Sequence, residues 1–458
     1  MERKVLFLAN VGNSDLGKDE KSIFNPREHN IFEESKKLYE SGEFYHLEPI
    51  LLKKKIEMLN NPINDLEIVL FATLQEDENP QDTYYIAKII KELISKEYPN
   101  LKDKIKIEKV SRNPSDYNEM IEYYAKKLNS FDDNYYRVYL GITGGTPAQI
   151  SSLIINGVLK WEEKTRTLYK PRGKEPKEDK IGEKIFKILK SKEFEALKKS
   201  YLYDLAAELM KKYELSENWK CEYHYLKGLH HKKLFNFKRA IDEFNHALKY
   251  AGLEDENRIL NELNKLEKLL EEPKDLDDRI EKYPLLIDLL IDNAIMKWES
   301  GEYVDFVGRI FRIREALLRY IFEKEFRIST EPTKIKEYGK LINKYVEFEK
   351  FLDENPKLVE YLKGNGWNER KEINLKVLRW IYEYYLQSNK AFAKKYGFIK
   401  GFDDKLEKLS ELRNKSIIAH GFEGISKEDI VKLYNKNKNN ENEIIEDLNK
   451  LKNLISKW

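Results

Sequence analysis

Apolar runs alternate with amphipathic stretches along the first third of the chain. Short apolar segments at Lys4–Asn10, Glu67–Thr73, Lys104–Val110, Arg137–Thr143 and Thr165–Lys170 predict strands. Between them, apolar positions recur on one helical face at Thr83–Tyr98, Tyr117–Leu128 and Pro147–Trp161. Strands and helices in this alternation build a largely parallel sheet with helices on its faces, so residues 1–172 predict a Rossmann-like α/β domain. Turn formers cluster at Pro171-Arg172-Gly173-Lys174 and Pro176, and the pattern changes there. From Ile181 onward the periodicity is helical, with no convincing run of strands.

Residues 173–275 read as a helical connector. Within it, Gly228, Ala240, Phe244 and Ala247 fall at the offsets of a tetratricopeptide hairpin, where small residues let two helices close beneath an aromatic ring. One copy cannot make a solenoid, and the Glu272-Pro273 break marks its expected end. Residues 276–458 predict a second, all-α domain with amphipathic helices over Tyr303–Phe322 and Phe402–Ala419. Pro332, Pro356, Gly364 and Gly366 mark its connections. The expected fold class is α/β plus all-α.

Composition narrows the chemistry. A chain of 458 residues suits two to four domains. Lys and Arg number 83 against 81 Asp and Glu, a net charge of +2, so any RNA site must be local and stable DNA binding is not expected. The single cysteine, Cys221, cannot form an intrachain disulfide or a cysteine-based zinc site and fits a reducing compartment. No apolar stretch approaches the ~18 residues of a membrane span, so the expectation is a cytoplasmic protein without a membrane partner.

Three segments offer candidate sites. Gly141-Ile-Thr-Gly-Gly-Thr-Pro-Ala-Gln149 follows a predicted strand and opens a helix, with Pro147 suited to the first turn. Gly144 and Gly145 let backbone N–H groups approach an anion, while Thr143, Thr146 and Gln149 add polar side chains. Asn10-Val-Gly-Asn-Ser-Asp15 follows the first strand and belongs at the same carboxyl edge of the sheet, where open α/β sheets bind ligands. Each loop read alone is an ordinary polar turn. Two converging loops, with Asn10, Gly12, Asn13, Ser14 and also Gln75 at the end of another strand, suit phosphates and base edges. Neither a Walker loop nor a dinucleotide fingerprint is present there.

The third segment, Arg413-Asn-Lys-Ser-Ile-Ile-Ala-His420-Gly421, lies on the last predicted amphipathic helix. Seven residues are nearly two turns, which places Arg413 and His420 on one face about 10 Å apart along the axis. An arginine can hold phosphate oxygens and a histidine can transfer a proton near neutrality. The bland alternative is a surface arginine and a histidine at a helix C-terminus before Gly421. His224, His230, His231 and His246 cluster on the connector, but no carboxylate falls in a recognised ligand pattern, so no metal site is expected.

The order of these parts resembles the CARF-HEPN ribonucleases, ancillary effectors of type III CRISPR systems. The resemblance rests on Val11-Gly-Asn-Ser14, Thr143-Gly-Gly-Thr-Pro147, the helix Gly301–Glu315 and the Arg-x6-His spacing of Arg413-Asn414 to His420. The family's first loop often has threonine where this chain has Asn13. The resemblance implies a homodimer whose CARF domains bind a cyclic oligoadenylate, cyclic tetra-adenylate being favoured, as allosteric activator and without a cofactor. Asn10, Gly12, Asn13, Ser14, Gln75, Thr143, Gly144, Gly145, Thr146 and Gln149 would line that site. It further implies metal-independent cleavage of single-stranded RNA, with His420 in acid-base transfer, Arg413 stabilising the phosphorane and Asn414 orienting one of them. One motif histidine per chain agrees with a cleft shared across a twofold axis. The competing reading is a nucleotide-sensing module whose helical domain signals to a partner without catalysis.

Overall fold

The structure is a computed structural model that describes residues 4–458 apart from 26, 28, 61–64, 172–173, 338–339, 369–372, 436–439, 456 and 458. Arg172 and Gly173 of the expected break thus lie outside the described residues. The chain divides into two compact units, Met1–Glu193 and Phe194–Trp458. The expected connector and the C-terminal helices fall in the same unit, apart from its first 21 residues or so.

In the first unit, strand β1 (Val5–Asn10) is followed by β2 (Leu16–Lys18), β3 (Lys21–Ser22), helix α1 (Ile31–Ser41), β4 (Glu48–Pro49) and α2 (Lys53–Asn60). Then come β5 (Leu66–Thr73), α3 (Tyr84–Glu97), β6 (Ile105–Val110), α4 (Tyr117–Asn129), β7 (Arg137–Gly141), α5 (Pro147–Trp161), β8 (Thr165–Tyr169), β9 (Lys177–Asp179) and α6 (Ile181–Lys199), whose residues from Phe194 on belong to the second unit. The five predicted strands are β1, β5, β6, β7 and β8, and the three predicted helices are α3, α4 and α5. Two features were not expected. A small antiparallel sheet, β3-β2-β4, follows β1, and β9 adds an antiparallel edge next to β8. Strands of two or three residues carry too little periodicity to show in the sequence.

The main sheet runs β6-β5-β1-β7-β8-β9, with every pairing parallel except the last. Its two faces bury alternate residues of the same strands. Phe7, Ala9, Ile68 and Leu70 pack with Ile86 and Ile90 of α3, whereas Leu6, Leu8, Val69 and Phe71 pack with Tyr124 of α4 and Leu153 of α5. The chain lays β5 and β6 on one side of β1, and β7 and β8 on the other. The carboxyl ends of β1 and β7 thus meet where the strand order reverses, the edge at which open α/β sheets bind ligands.

The second unit is α7 (Tyr203–Tyr213), α8 (Trp219–Lys233), α9 (Phe237–Leu248), α10 (Leu253–Leu270), α11 (Leu276–Glu299) and α12 (Tyr303–Phe326), then β10 (Thr333–Glu337) and β11 (Lys340–Lys344). It ends with α13 (Val346–Glu354), α14 (Pro356–Gly364), α15 (Leu375–Ser388), α16 (Lys390–Lys408), α17 (Ser410–Lys415), α18 (Lys427–Tyr434) and α19 (Glu443–Ile455). The β10-β11 hairpin corrects the expectation of a strand-free C-terminal region. Its period-two signal lasts only five residues per strand, too short to stand out among helices.

Helix α12 is the spine of this unit. Phe306, Val307, Ile310 and Ile313 join a core with α11, α16, α18 and α19, while Leu318, Ile321 and Phe322 join a second with α13 to α16. Between the two, buried Arg314 donates to Asp403 at 2.5 Å and pairs with Glu407 at 2.5 Å. Asp403 also pairs with Arg379 of α15 at 3.0 Å. A buried arginine left without its carboxylates would cost several kcal/mol, roughly 3–5, so this network fixes how α16 lies on α12.

Candidate functional site

A cleft of about 460 Å³ opens at the carboxyl edge of the first unit's sheet. Of the ten candidate binding residues, Gly12, Asn13, Gln75, Gly145, Thr146 and Gln149 line it. Asn10, Ser14, Thr143 and Gly144 are not among the lining residues. The segment from Thr73 to Thr83, which the sequence offers as a further wall of this pocket, adds Asn79 and Gln81, while sequence reasoning missed Asn113, Pro114 and Ser115. The signal for the last three was available: they follow β6, whose carboxyl end shares the edge already identified. Among the described residues no charged side chain lines the cleft; its polar groups are amides, hydroxyls and backbone.

Several of those groups hold the cleft together. Thr146 is the N-cap of α5: its hydroxyl accepts from Gln149 N at 3.2 Å, and Gln149 Oε1 accepts from Thr146 N at 3.0 Å. The same hydroxyl donates to the carbonyl of Pro114, joining the loops after β6 and β7. Asn13 Nδ2 donates to Gln81 Oε1 at 2.7 Å, joining the loops after β1 and β5. Gln75 is held by Asp82 through its backbone N at 2.8 Å and its amide at 3.1 Å.

The loops after β1 and β7 interlock so closely that only glycine fits. A Cβ on Gly144 would stand 2.4 Å from Asn10 O and 2.8 Å from Asp15 Oδ2. Gly145 has φ +84°, and its Cβ would stand 2.7 Å from Asn10 Cβ. Thus Asn10 and Gly144 build the contact behind the cleft instead of its wall. Asn10 Oδ1 accepts from the Tyr124 hydroxyl, and among the described residues Asn10 Nδ2 is buried with no hydrogen-bond partner. Buried donors of this kind are rare and call for a ligand, water or ion.

Buried charge backs the loops. Asp15 is fully buried, accepts from Gly12 N at 2.6 Å, and its carboxyl is pushed up to about 6 by burial, against the Gly12 N–H and the Lys55 charge, which pull it down. Lys55 donates to Thr143 Oγ1 at 2.8 Å, and burial pushes its ammonium down to about 8 although Asp15 pulls it up. Thr143 also accepts from the backbone N of Lys170 at 3.1 Å. Thr143 is therefore anchored away from the cleft.

In the second unit the structure corrects the expected helix Phe402–Ala419. Helix α16 stops at Lys408, α17 ends at Lys415, and Ser416 to His420 form a turn, so Arg413 and His420 do not share a helical face. Buried Ser416 is the pivot. Its hydroxyl donates to Arg413 O at 2.8 Å, its carbonyl accepts from Ala419 N and Gly421 N at 3.1 Å each, and it bridges to Glu423. Glu423 N returns to Lys415 O at 3.0 Å. A Cβ on Gly421 would lie 1.7 Å from that same carbonyl oxygen, so the glycine belongs to the turn's closure and is not a helix stop.

Asn414 Oδ1 accepts from Arg413 Nε at 3.3 Å and Nη2 at 3.0 Å, and the guanidinium lies 4.7 Å from the ring centre of Phe311. One turn earlier on α12, Gly308 makes room for the loop: a Cβ there would stand 2.7 Å from Ile418 Cδ1. Gly308 and Phe311 thus seat the motif on α12. His420 is exposed, and Ile417 and Phe422 beside it are 72% and 94% exposed. A separate cleft of about 770 Å³, lined by Arg309, Arg312 and Arg319 of α12, includes none of the motif residues. Of the connector histidines, His224 and His246 meet a carboxylate after all, Glu243.

Among the described residues, no helix is long and apolar enough to cross a membrane. Residues 277–457 match the family described as "Cas_Csm6 HEPN domain". A search of curated proteins finds no match. Among solved structures, the fold is similar to that of Enterococcus italicus Csm6 bound to cyclic hexa-2'-fluoro-hexa-dAMP, with TM-score 0.56 and 14% identity over 99% of this chain and 94% of that one. The family match covers the helical C-terminal region, and the likeness to the solved structure shows a shared fold along nearly the whole chain.

Proposed function

We propose that the chain is an ancillary endoribonuclease of type III CRISPR defence, switched on by a cyclic oligoadenylate and cutting single-stranded RNA without metal. The observation that carries this reading is a HEPN-family match over 277–457 that includes Arg413, Asn414 and His420, in one chain with a Rossmann-order unit that bears an uncharged, amide-rich cleft. Asn, Gln and Ser side chains supply donors and acceptors for adenine edges and ribose hydroxyls. The side-chain amides of Asn13, Gln75 and Gln149 along the cleft support a polar ligand at this edge.

In the cleavage step the RNA 2′-oxygen attacks the adjacent phosphorus and gives up its proton. The bond to the 5′-oxygen breaks, and that oxygen takes a proton, leaving a 2′,3′-cyclic phosphate and a 5′-hydroxyl. His420 moves protons, Arg413 stabilises charge on the phosphorane, and Asn414 holds the guanidinium that it already bonds. Two chains around a twofold axis supply both an acid and a base. The exposed Ile417 and Phe422 beside the motif support a second copy covering that surface.

The test is cleavage of single-stranded RNA with synthetic cyclic tetra- and hexa-adenylate, in EDTA. Ring-dependent cleavage with cyclic phosphate ends is expected, and His420→Ala should lower the rate by about 10²–10⁴. Ring binding with no cleavage under any condition would favour the non-catalytic sensing module instead.

A further inference from the structure

We infer that the α8-α9 hairpin carries a binding site for one divalent transition-metal ion of zinc's class, made by His224, Glu243 and His246. One ligand atom from each of the three lies within 4.8 Å of the others. His224 stands on α8, while Glu243 and His246 stand one turn apart on α9. Their spacing, Glu-x-x-His, puts a carboxylate and an imidazole on one helix face, and His224 reaches them from the facing helix.

The scaffold is rigid where the site needs it. Gly228, one turn after His224, meets the ring of Phe244, the residue after Glu243; a Cβ there would stand 2.4 Å from that ring. Buried Ala240 and Ala247 complete the close approach of the two helices. The His224 ring is held as well, with Tyr250 stacked on it at 6.0 Å and 6° and His246 at 5.2 Å. His224 Nδ1 lies 2.8 Å from Glu243 Oε2, so one ligand pair is already closer than an ion requires.

Ligands held at about 2.0–2.2 Å from zinc stand about 3.4 Å apart in tetrahedral geometry, so changes of about 1 Å in side-chain position close the set around an ion. Exposed His246 has the freedom to make such a change. Two imidazoles and one carboxylate favour zinc and its late first-row neighbours over magnesium or calcium, which prefer all-oxygen sets. Water takes the remaining position. An ion here ties together two helices and adds its binding energy to the stability of the hairpin. The site is remote in sequence from Arg413 and His420 and independent of the RNase reading. It does change how chelators are interpreted, because EDTA would loosen this hairpin without touching the reaction.

The experiment uses the full-length untagged chain, stripped with EDTA and dialysed, then titrated with zinc chloride by calorimetry and followed by thermal melting. One strong site per chain and a higher melting temperature are expected. His224→Ala and His246→Ala should each weaken zinc binding by at least about 100-fold and remove the thermal shift, since even residues that only support ligands are worth about 10- to 100-fold. Glu243→Gln, which keeps the shape of the side chain, should also weaken binding, and His420→Ala should leave it intact. Absence of a strong site, or unchanged zinc affinity in a His224→Ala/His246→Ala double variant with a wild-type circular dichroism spectrum, would overturn the assignment.

Discussion

The N-terminal cleft and the C-terminal motif both depend on a glycine that no other residue can replace, yet they are built in opposite ways. Gly144 is locked among Asn10, Asp15 and the loops of a buried sheet edge, with charge and capping bonds behind it. Gly421 closes an exposed turn that hangs on one serine and rests on α12, with apolar side chains facing outward. The cleft is an integral part of its unit's core. The motif is an appendage whose outer surface, with Ile417 and Phe422, is exposed among the described residues. Damage to the first should therefore register as stability as well as affinity, and damage to the second as activity alone.

The largest effect should come from Gly421→Ala. Its methyl group would overlap Lys415 O, so the turn must reopen and His420 must move. RNA cleavage should fall by at least about 100-fold, as displacing a catalytic group by 1 Å can do, while melting of the chain and ring binding stay near wild type. Gly144→Ala sharpens the contrast. It should weaken cyclic oligoadenylate binding by at least about tenfold in calorimetry, and it should also lower the melting temperature, since overpacking costs about 1–3 kcal/mol. A Gly144→Ala chain that melts like wild type would break the comparison.

A further effect concerns pH. Asp15 has its folded pKa raised from 3.8 to about 6, so the native state holds its proton more tightly than the unfolded state. The favourable contribution is full below about 4 and is lost as pH rises through 6, a change of about 3 kcal/mol. Asp15→Asn, which keeps an acceptor for Gly12 N–H, should flatten this slope between pH 4 and 6 in denaturant melts. It should leave the C-terminal unit's pH dependence unchanged.

The same contrast explains what could be read from the sequence. The central strands β1 and β5 were legible because their near-continuous apolar runs are buried on both faces, and Thr146-Pro147-Ala-Gln149 announces the start of α5 through its capping box. The roles of Thr143 and Asn10 were not legible. Their partners, Lys55, Lys170 and Tyr124, are distant in sequence and come together only through the sheet order. For the C-terminal motif, the residue pattern was visible but its geometry was not. Apolar Leu406, Leu409, Ile417 and Ile418 continue a helical period past Ser410, yet Ser416 turns back on Arg413 and ends the helix where periodicity would extend it. The supports from α12, Gly308 and Phe311, are equally non-local.

We propose that the exposed motif is half of a site completed by a second chain. Wild-type and His420→Ala chains, mixed at constant total concentration with saturating cyclic oligoadenylate and verified subunit exchange, test it directly. With equal amounts of the two, a shared site predicts about a quarter of the all-wild-type cleavage rate, the fraction of wild-type pairs. About half the rate, in proportion to wild-type chains, would contradict it.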